Sequence, residues 1–401
     1  MQPYLIQLQP LAPFYFGSER NFGTGEDSNY FATSRQTPQQ TTLLGVLRYK
    51  LLEAHNGLSK GQHGGKVEAL ASDLIGKQSF MGNAKFDKDA FGKIGSISPV
   101  FLLKGQHIYL PANVDDGFSL VKKGGKSACV KLTPEGGNPF LEAKNHTVDL
   151  DGYNPKKPPD VHWTNDLGER VKAEKLFQKA EQVGVFKLHG RDKSHRSQHL
   201  NPDEEDGQKG FFKKIAWKFL SEDFRFAFVA YLEKKVGDKL VSHLAAHANA
   251  VTPIGGERSP FRITAADAGS DFISRWENGK YYSAAGATGQ SKIILISDAF
   301  ADLSIYNYAD FSLAAPLEFR NLQTTIAQTS QYYGINRHGN NKAAPRKSVK
   351  YNLFAAGSVF FVNNWIEFRK CLVDDALAWR QIGYNHFAVV NATVSFDFFK
   401  P

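Results

Sequence analysis

What most constrains the fold of this chain is an uneven alternation of strand-like and helix-like segments, separated by long loops rich in glycine and polar residues. A doubly wound parallel sheet needs βαβ units of similar length, and no such run is present. The opening stretch YLIQLQPLAPFYFG places Tyr4, Ile6 and Leu8 at period two and predicts a strand with one buried face. TPQQTTLLGVLRYKLLEAH spaces Leu43, Leu44, Val46, Leu47, Leu51 and Leu52 as a helix does, with Thr41 or Thr42 available to cap it. VEALASDLIG predicts a short helix, and SISPVFLLKGQHIYLPA two short strands turning at Lys104–Gly105. Residues 111–165 are turn-rich and read as an irregular insertion, with NPKKPPD its least ordered part.

Further along, ERVKAEKLFQKAEQ predicts a helix, VGVFKLH a strand, FFKKIAWKFL with FRFAFVAYLE a strand pair, and GDKLVSHLAAHANAV a helix. SKIILISDAFA and AGSVFFV predict strands, IEFRKCLVDDALAWRQIG a helix, and HFAVVNATVSFDF a closing strand. Antiparallel sheets with helices on one face, an α+β fold, fit this order, and a ferredoxin-like βαββαβ plan used twice is consistent with it. A chain of 401 residues exceeds one small core. Two units are expected: 1–250, with insertions at about 111–165 and 189–210, and 251–401, carrying a basic loop at 334–350. Cys129 and Cys371 are the only cysteines, which excludes a disulfide framework and a cysteine-rich zinc site. The N-terminus does not read as a signal peptide and no apolar run approaches membrane-spanning length. A soluble cytoplasmic protein without a cofactor is expected.

The charge pattern points to a partner. Lys and Arg exceed Asp and Glu by 49 to 40, a modest excess, but it is clustered. No acid occurs from Phe319 through Ile366, 48 residues in which the chain average would place about five. Within that zone Arg337, Lys342, Arg346, Lys347 and Lys350 can neutralise several phosphates, and Gly339 lets the backbone follow a polyanion. Tyr332, Tyr333 and Tyr351 flank the loop as possible stacking surfaces. The plainer reading is a solvated charged loop, although such loops usually mix both signs. PIGGERS offers a second anion site: Gly255–Gly256 permits positive φ or close backbone approach, and Arg258 supplies a fork donor. An ordinary β-turn is the alternative. His189, His195 and His199, with Lys187, Arg191, Lys193 and Arg196, could supply a metal-independent ribonuclease, or simply belong to a solvated loop. Glu204–Glu205 and Asp374–Asp375 are adjacent in sequence and support no two-metal site.

Three stretches together resemble the RAMP superfamily of CRISPR effector proteins. LAPFYFGSERNFGTG leading to TPQQTTLLGVLRYKLL is similar to its opening, with Pro13–Phe14, Arg20–Phe22, Pro38 and Thr42–Gly45–Arg48 at the motif positions. QVGVFKLHGRDK through IGGERS is similar to its middle, and GNNKAAPRKSVKYNLFAAGSVFFV to its end. Ser259 stands where a second arginine is common, and Ala355 where proline is frequent. The best match is the family of the third Cmr subunit of type III-B complexes, with a type III-D relative as the alternative. The resemblance implies two ferredoxin-like domains, no catalysis, and a grip on the repeat-derived 5′ tag of the crRNA. It implies packing against the large polymerase/cyclase-type subunit and a backbone RAMP subunit, with target RNA reached only indirectly. The contacts it implies are Arg20, Phe22, Thr42, Arg48, Gly255, Gly256, Arg258, Lys342, Arg346 and Lys347. A crRNA-processing endoribonuclease of the same superfamily, using His195 or His199 with Lys193, is the alternative activity.

Overall fold

The computed structural model of the chain describes residues 1–17, 31–58, 64–83, 85–87, 89–117, 119–120, 141–143, 150–151, 162–185, 211–255, 257–283, 291–323, 346–362, 364–391 and 393–399. It is a mixed α+β structure dominated by sheets. Strand β1 (Gln2–Pro10) lies inside the largest sheet, antiparallel on one side to β13 (Phe224–Leu232) and on the other to β15 (Ser259–Asp267). From edge to edge this nine-stranded sheet runs β10 (Arg170–Lys172), β9 (His162–Asn165), β5 (His107–Pro111), β4 (Phe101–Lys104), β13, β1, β15 and β14 (Val251–Ile254). Strand β3 (Ile94–Ile97) also pairs with β13. The residues of β14 and β15 therefore share a sheet with the chain's first strand.

A six-stranded sheet follows the order β25 (Val394–Asp397), β24 (Phe387–Val390), β16 (Ser291–Leu295), β23 (Val359–Val362), β18 (Ala309–Leu313) and β7 (Leu141–Ala143). A three-stranded sheet joins β11 (Phe177–Val185), β12 (Phe211–Phe219) and β2 (Phe31–Thr33), and another joins β17 (Ala299–Phe300), β22 (Tyr351–Phe354) and β19 (Pro316–Phe319). Two-stranded pairs are β20 (Leu322–Gln323) with β21 (Arg346–Lys347), and β6 (Ser119–Leu120) with β8 (Leu150–Asp151). The helices are α1 (Gln40–Ala54), α2 (Gly64–Ile75), α3 (Lys234–Ala246), α4 (Ser270–Asn278), α5 (Trp365–Arg369) and α6 (Leu377–Gln381). No helix among the described residues is long and apolar enough to cross a membrane.

The three larger apolar clusters among the described residues explain the layering. Tyr4, Ile6 and Leu8 of β1 meet Leu43, Leu47 and Leu51 of α1 and Leu240 and Leu244 of α3. Leu5, Ala227 and Val229 point to the opposite face, where they meet Phe272 and Trp276 of α4 and Ile294, Val359 and Ala388 of the second sheet. The far face of that second sheet buries Ile293, Phe360 and Phe387 against Phe368 and Leu372. Each fully buried Phe contributes about 1.5–3 kcal/mol of transfer free energy. The face of β1 expected to be buried, Tyr4, Ile6 and Leu8, is buried, and the opposite face is covered at Leu5 as well, because a second sheet packs there; Gln7 and Gln9 on that face stay partly exposed.

Other expectations change for similar reasons. Residues 169–182 do not form a helix: β10 and a 3-10 turn lead into β11, whose Gln178–Val183 pair residue by residue with Lys218–Lys213. Cross-strand pairing overrides helix propensity there. FFKKIAWKFL and FRFAFVAYLE are both strands but do not pair with each other; β12 pairs with β11 and β2, whereas β13 pairs with β1, β3 and β4. The closing strand is a hairpin of β24 and β25. The helix over 366–383 is split into α5 and α6 by a π turn at Lys370–Asp374. The insertion at 111–165 supplies β9 to the first sheet and β7 to the second; NPKKPPD lies outside the described residues. Helix α1 begins one residue before Thr41, and its N-cap is Gln39 with no side-chain cap, so neither threonine caps it.

Candidate nucleic-acid interface

The β14–β15 hairpin supplies the best-defined part of the site. Its turn begins at Gly255 with φ +78 and ends at Arg258 with φ +53, where the Arg258 N–H donates to the Gly255 carbonyl at 3.1 Å. A Cβ on Gly255 would stand 2.7 Å from the Tyr15 carbonyl oxygen. The residue must therefore be glycine on two counts, backbone angle and space. Beside it, Ser259 Oγ accepts the Tyr15 N–H at 2.9 Å, and Ser259 is buried. The serine at this position thus anchors the neighbouring segment from inside the fold. Arg258 is exposed on the turn.

That neighbouring segment, Phe14–Gly17, directly precedes in sequence the residues that include Arg20 and Phe22. Phe14 exchanges backbone hydrogen bonds with Trp217, and the Phe16 N–H donates to Ser34 Oγ at 2.8 Å. Trp217 Nε1 donates to the Ser34 carbonyl at 2.7 Å. Gly17, at φ +76, accepts from the Arg35 N–H at 2.9 Å. Two glycine-led elements are thereby held side by side: the Gly255 turn and the segment Phe14–Gly17. Lys214 lies over the Tyr15 ring, 5.6 Å from its centroid, and pairs with Glu257 at 3.1 Å. Burial, and secondarily Glu257, pushes the Tyr15 phenol upward from its ordinary pKa.

The remaining expected contacts are distributed differently. Thr42 sits in the first turn of α1, its N–H bonded to the Gln39 carbonyl at 2.9 Å. Arg48 lies against Phe91, 4.9 Å from the ring centroid, with Nε and Nη2 buried and without an acceptor. Burial lowers its pKa to about 10, so it remains a cation at neutral pH. Arg346 and Lys347 form β21 at the foot of the basic loop, opposite Gln323 and Leu322. Ser348 and Asn321 exchange hydrogen bonds just beyond it, and Asn321 Nδ2 holds the Phe80 carbonyl at 2.8 Å. Arg20, Phe22, Gly256, Lys342 and His195 and His199 lie outside the described residues, as do Tyr332 and Tyr333.

Two readings of the basic loop's flank are corrected. Tyr351 is a core residue, 7% exposed, with its ring against Phe300, Phe319 and Trp379. It offers no face to a base. Lys350 forms an ion pair with Glu318, so a stretch free of acids in sequence is not free of them in space.

Sequence reasoning missed a cleft of about 290 Å³ between the Arg35–Gln40 lead-in to α1, the Ile296–Asp298 turn after β16, and Ala355–Ala356. Trp163, Val100 and Pro111 complete its walls. Arg35 and Asp298 form an ion pair at 2.6 Å there, and Asp298 Oδ1 also accepts the Ala356 N–H at 3.0 Å. Pro38 and Ala355, drawn from opposite ends of the chain, were each noted as motif positions, but nothing in their spacing says that they converge. Among the described residues no group of three His, Cys, Asp or Glu is placed to hold a metal.

A sheet-dominated α+β scaffold that presents an exposed arginine on a glycine-led turn defines the general class of protein. Within it, the chain belongs to the CRISPR-associated protein family Cas_Cmr3, whose model matches residues 6–392. Solved structures are similar at low identity. A chain in the cryo-EM structure of the type III-B Cmr-beta bound to cognate target RNA is 10% identical, covering 98% of this chain and 99% of that one, with a TM-score of 0.45. A chain of the Csm3–Csm4 subcomplex in the type III-A CRISPR-Cas interference complex is 10% identical, covering 99% of this chain and 100% of that one, with a TM-score of 0.35. No curated protein sequence matches this one at a significant level.

Proposed function

We propose that this chain is a non-catalytic RNA-binding subunit of a type III-B effector complex that grips the 5′ repeat-derived tag of the crRNA. The observation that carries the reading is the clamped pair of glycine-led elements: the Gly255 turn, bearing Arg258, is locked through Tyr15 to the segment Phe14–Gly17, which directly precedes Arg20 and Phe22 in sequence. A single strand presents phosphates to such turns and splayed bases to exposed side chains. Arg20, Phe22, Thr42, Gly256, Lys342, Arg346 and Lys347 complete the proposed contact set. Arg48 belongs to the same proposed set, as a cation that is buried against Phe91 in the free chain. Family membership supports the setting, with the large polymerase/cyclase-type subunit and a backbone RAMP subunit as protein partners. Two ferredoxin-like units form part of the reading; β1 between β13 and β15, with α1 and α3 packed on one face, supports the first.

The test is to incubate the purified chain with repeat RNA and tag RNA in EDTA. Salt-sensitive binding that prefers the tag over a scrambled RNA, without cleavage, supports the reading. Specific cleavage that is lost in a His195→Ala, His199→Ala double variant would establish the endoribonuclease instead.

A further inference from the structure

Two features of α1 have no explanation inside the described chain. The first is Gly45, in the second turn of the helix and exposed. Glycine is the least favourable helix-interior residue after proline, because it gives up the most backbone freedom on folding. A helix keeps one where a side chain would collide with a neighbour or where φ must be positive. Gly237 of α3 is the first case: a Cβ there would run into the Tyr4 ring. Gly45 is neither case. Its φ is not positive, and a Cβ would meet nothing within 4 Å. The second feature is Arg48, nearly one turn further on. Its guanidinium lies against Phe91 with Nε and Nη2 enclosed, and no carboxylate among the described residues pairs with it. Cations withdrawn from water are ordinarily paired with an anion. Nη1 is the guanidinium nitrogen left at the surface.

These features adjoin. Residues three apart are neighbours on a helix surface, and a long side chain leans back over the turn that precedes it. Arg48 therefore reaches over the turn that holds Gly45. Tyr49, four residues from Gly45 on the same face, is 46% exposed. Glu53 is the only acid on α1, two turns beyond Gly45, and Lys50 holds it at 2.7 Å. We infer that a backbone phosphate of the bound RNA crosses α1 at Gly45, against the helix backbone, where Arg48 Nη1 donates to it and the adjoining base stacks on Tyr49. The absent Cβ is what lets the phosphate come that close. The enclosed Nε and Nη2 take no part in the contact. Their burial leaves the positive charge poorly screened by water, so it acts strongly on an anion at the surface. An exposed aromatic beside a cation suits a single strand. An uncharged protein surface would also fit against a glycine, but it leaves the arginine without an anion. The inference rests on the proposed RNA binding and adds to it a specific crossing point.

The test pairs a Gly45→Ala variant with a series of tag RNAs, each carrying one neutral methylphosphonate linkage. Alanine is the better helix former and nothing in the described chain opposes its methyl group, so the melting temperature should rise, by about 1 °C for a chain of this length. Affinity for unmodified tag RNA should nevertheless fall about tenfold. One neutral linkage should cost the natural chain a similar factor and cost the variant nothing further. Arg48→Gln should likewise lose nothing further at that same linkage, and Tyr49→Ala should weaken binding at an unchanged melting temperature. A Gly45→Ala variant that melts lower, a Gly45→Ala or Tyr49→Ala variant that binds like the natural chain, or losses that add at every linkage overturn the crossing point while leaving tag binding intact. A natural chain that binds tag and scrambled RNA equally, or neither, overturns both.

Discussion

Ser259 and Tyr15, 244 residues apart in sequence, are joined by a single buried hydrogen bond from the Tyr15 N–H to Ser259 Oγ at 2.9 Å. That bond ties the outermost hairpin of the large sheet to the segment Leu11–Gly17 that follows β1. Ser259→Ala leaves the Tyr15 N–H buried without an acceptor and should cost about 1–3 kcal/mol. A urea titration checks this through a lower midpoint at unchanged slope.

Gly255→Ala should be worse than Gly105→Ala. Both residues have positive φ, +78 and +57. A Cβ at Gly105 meets nothing within 4 Å, whereas one at Gly255 would stand 2.7 Å from the Tyr15 carbonyl. The Gly105 variant should lose about 1 kcal/mol from backbone strain alone. The Gly255 variant must also displace the Tyr15 segment, and it should lose more stability and weaken RNA binding together.

Arg258→Ala should separate binding from folding. The side chain is exposed on its turn, so thermal stability should be unaffected. Removing one phosphate contact to a single strand should reduce the slope of log affinity against log salt by about 0.7. An unchanged slope would remove Arg258 from the contact set.

His386 makes stability depend on acid. It is 1% exposed and Nδ1 has no partner, while Nε2 faces the Arg380 carbonyl at 3.1 Å. Burial first, and the Arg380 cation second, lower its pKa from 6.5 to about 3. The unfolded chain therefore binds a proton that the folded chain refuses. Stability is full above pH 6.5 and falls as pH drops from 6.5 towards 3, by up to about 1.4 kcal/mol per pH unit. His386→Gln should flatten denaturation midpoints across that window; an equally steep profile would assign the acid sensitivity to other groups.

Local pattern made most strands and helices legible. Period-two apolar residues marked β1, and leucine spacing marked α1. What failed was anything decided by partners distant in sequence. ERVKAEKLFQKAEQ has helical composition, yet Ala180 stands opposite Ala216 in a ladder that no local window can show. Tyr351 looked like a flank of the basic loop because it follows Lys350, but its neighbours in space are Phe300 and Trp379. Of the candidate site, the Gly255 turn was readable because positive φ has a sequence signature. The cleft was not, because Gln40 and Trp163 are brought together only when the sheets close.

The central position of β1 also bears on how the protein is made. Residues 2–10 leave the ribosome well before their pairing partners, residues 226–232 and 261–267. At about 5–20 residues per second, on the order of tens of seconds of translation separate the strand from its neighbours. Throughout that interval a segment whose Tyr4, Leu5, Ile6 and Leu8 are destined for burial stays unpaired, so a nascent chain halted before residue 226 cannot assemble the large sheet and should depend on chaperones to remain dispersed.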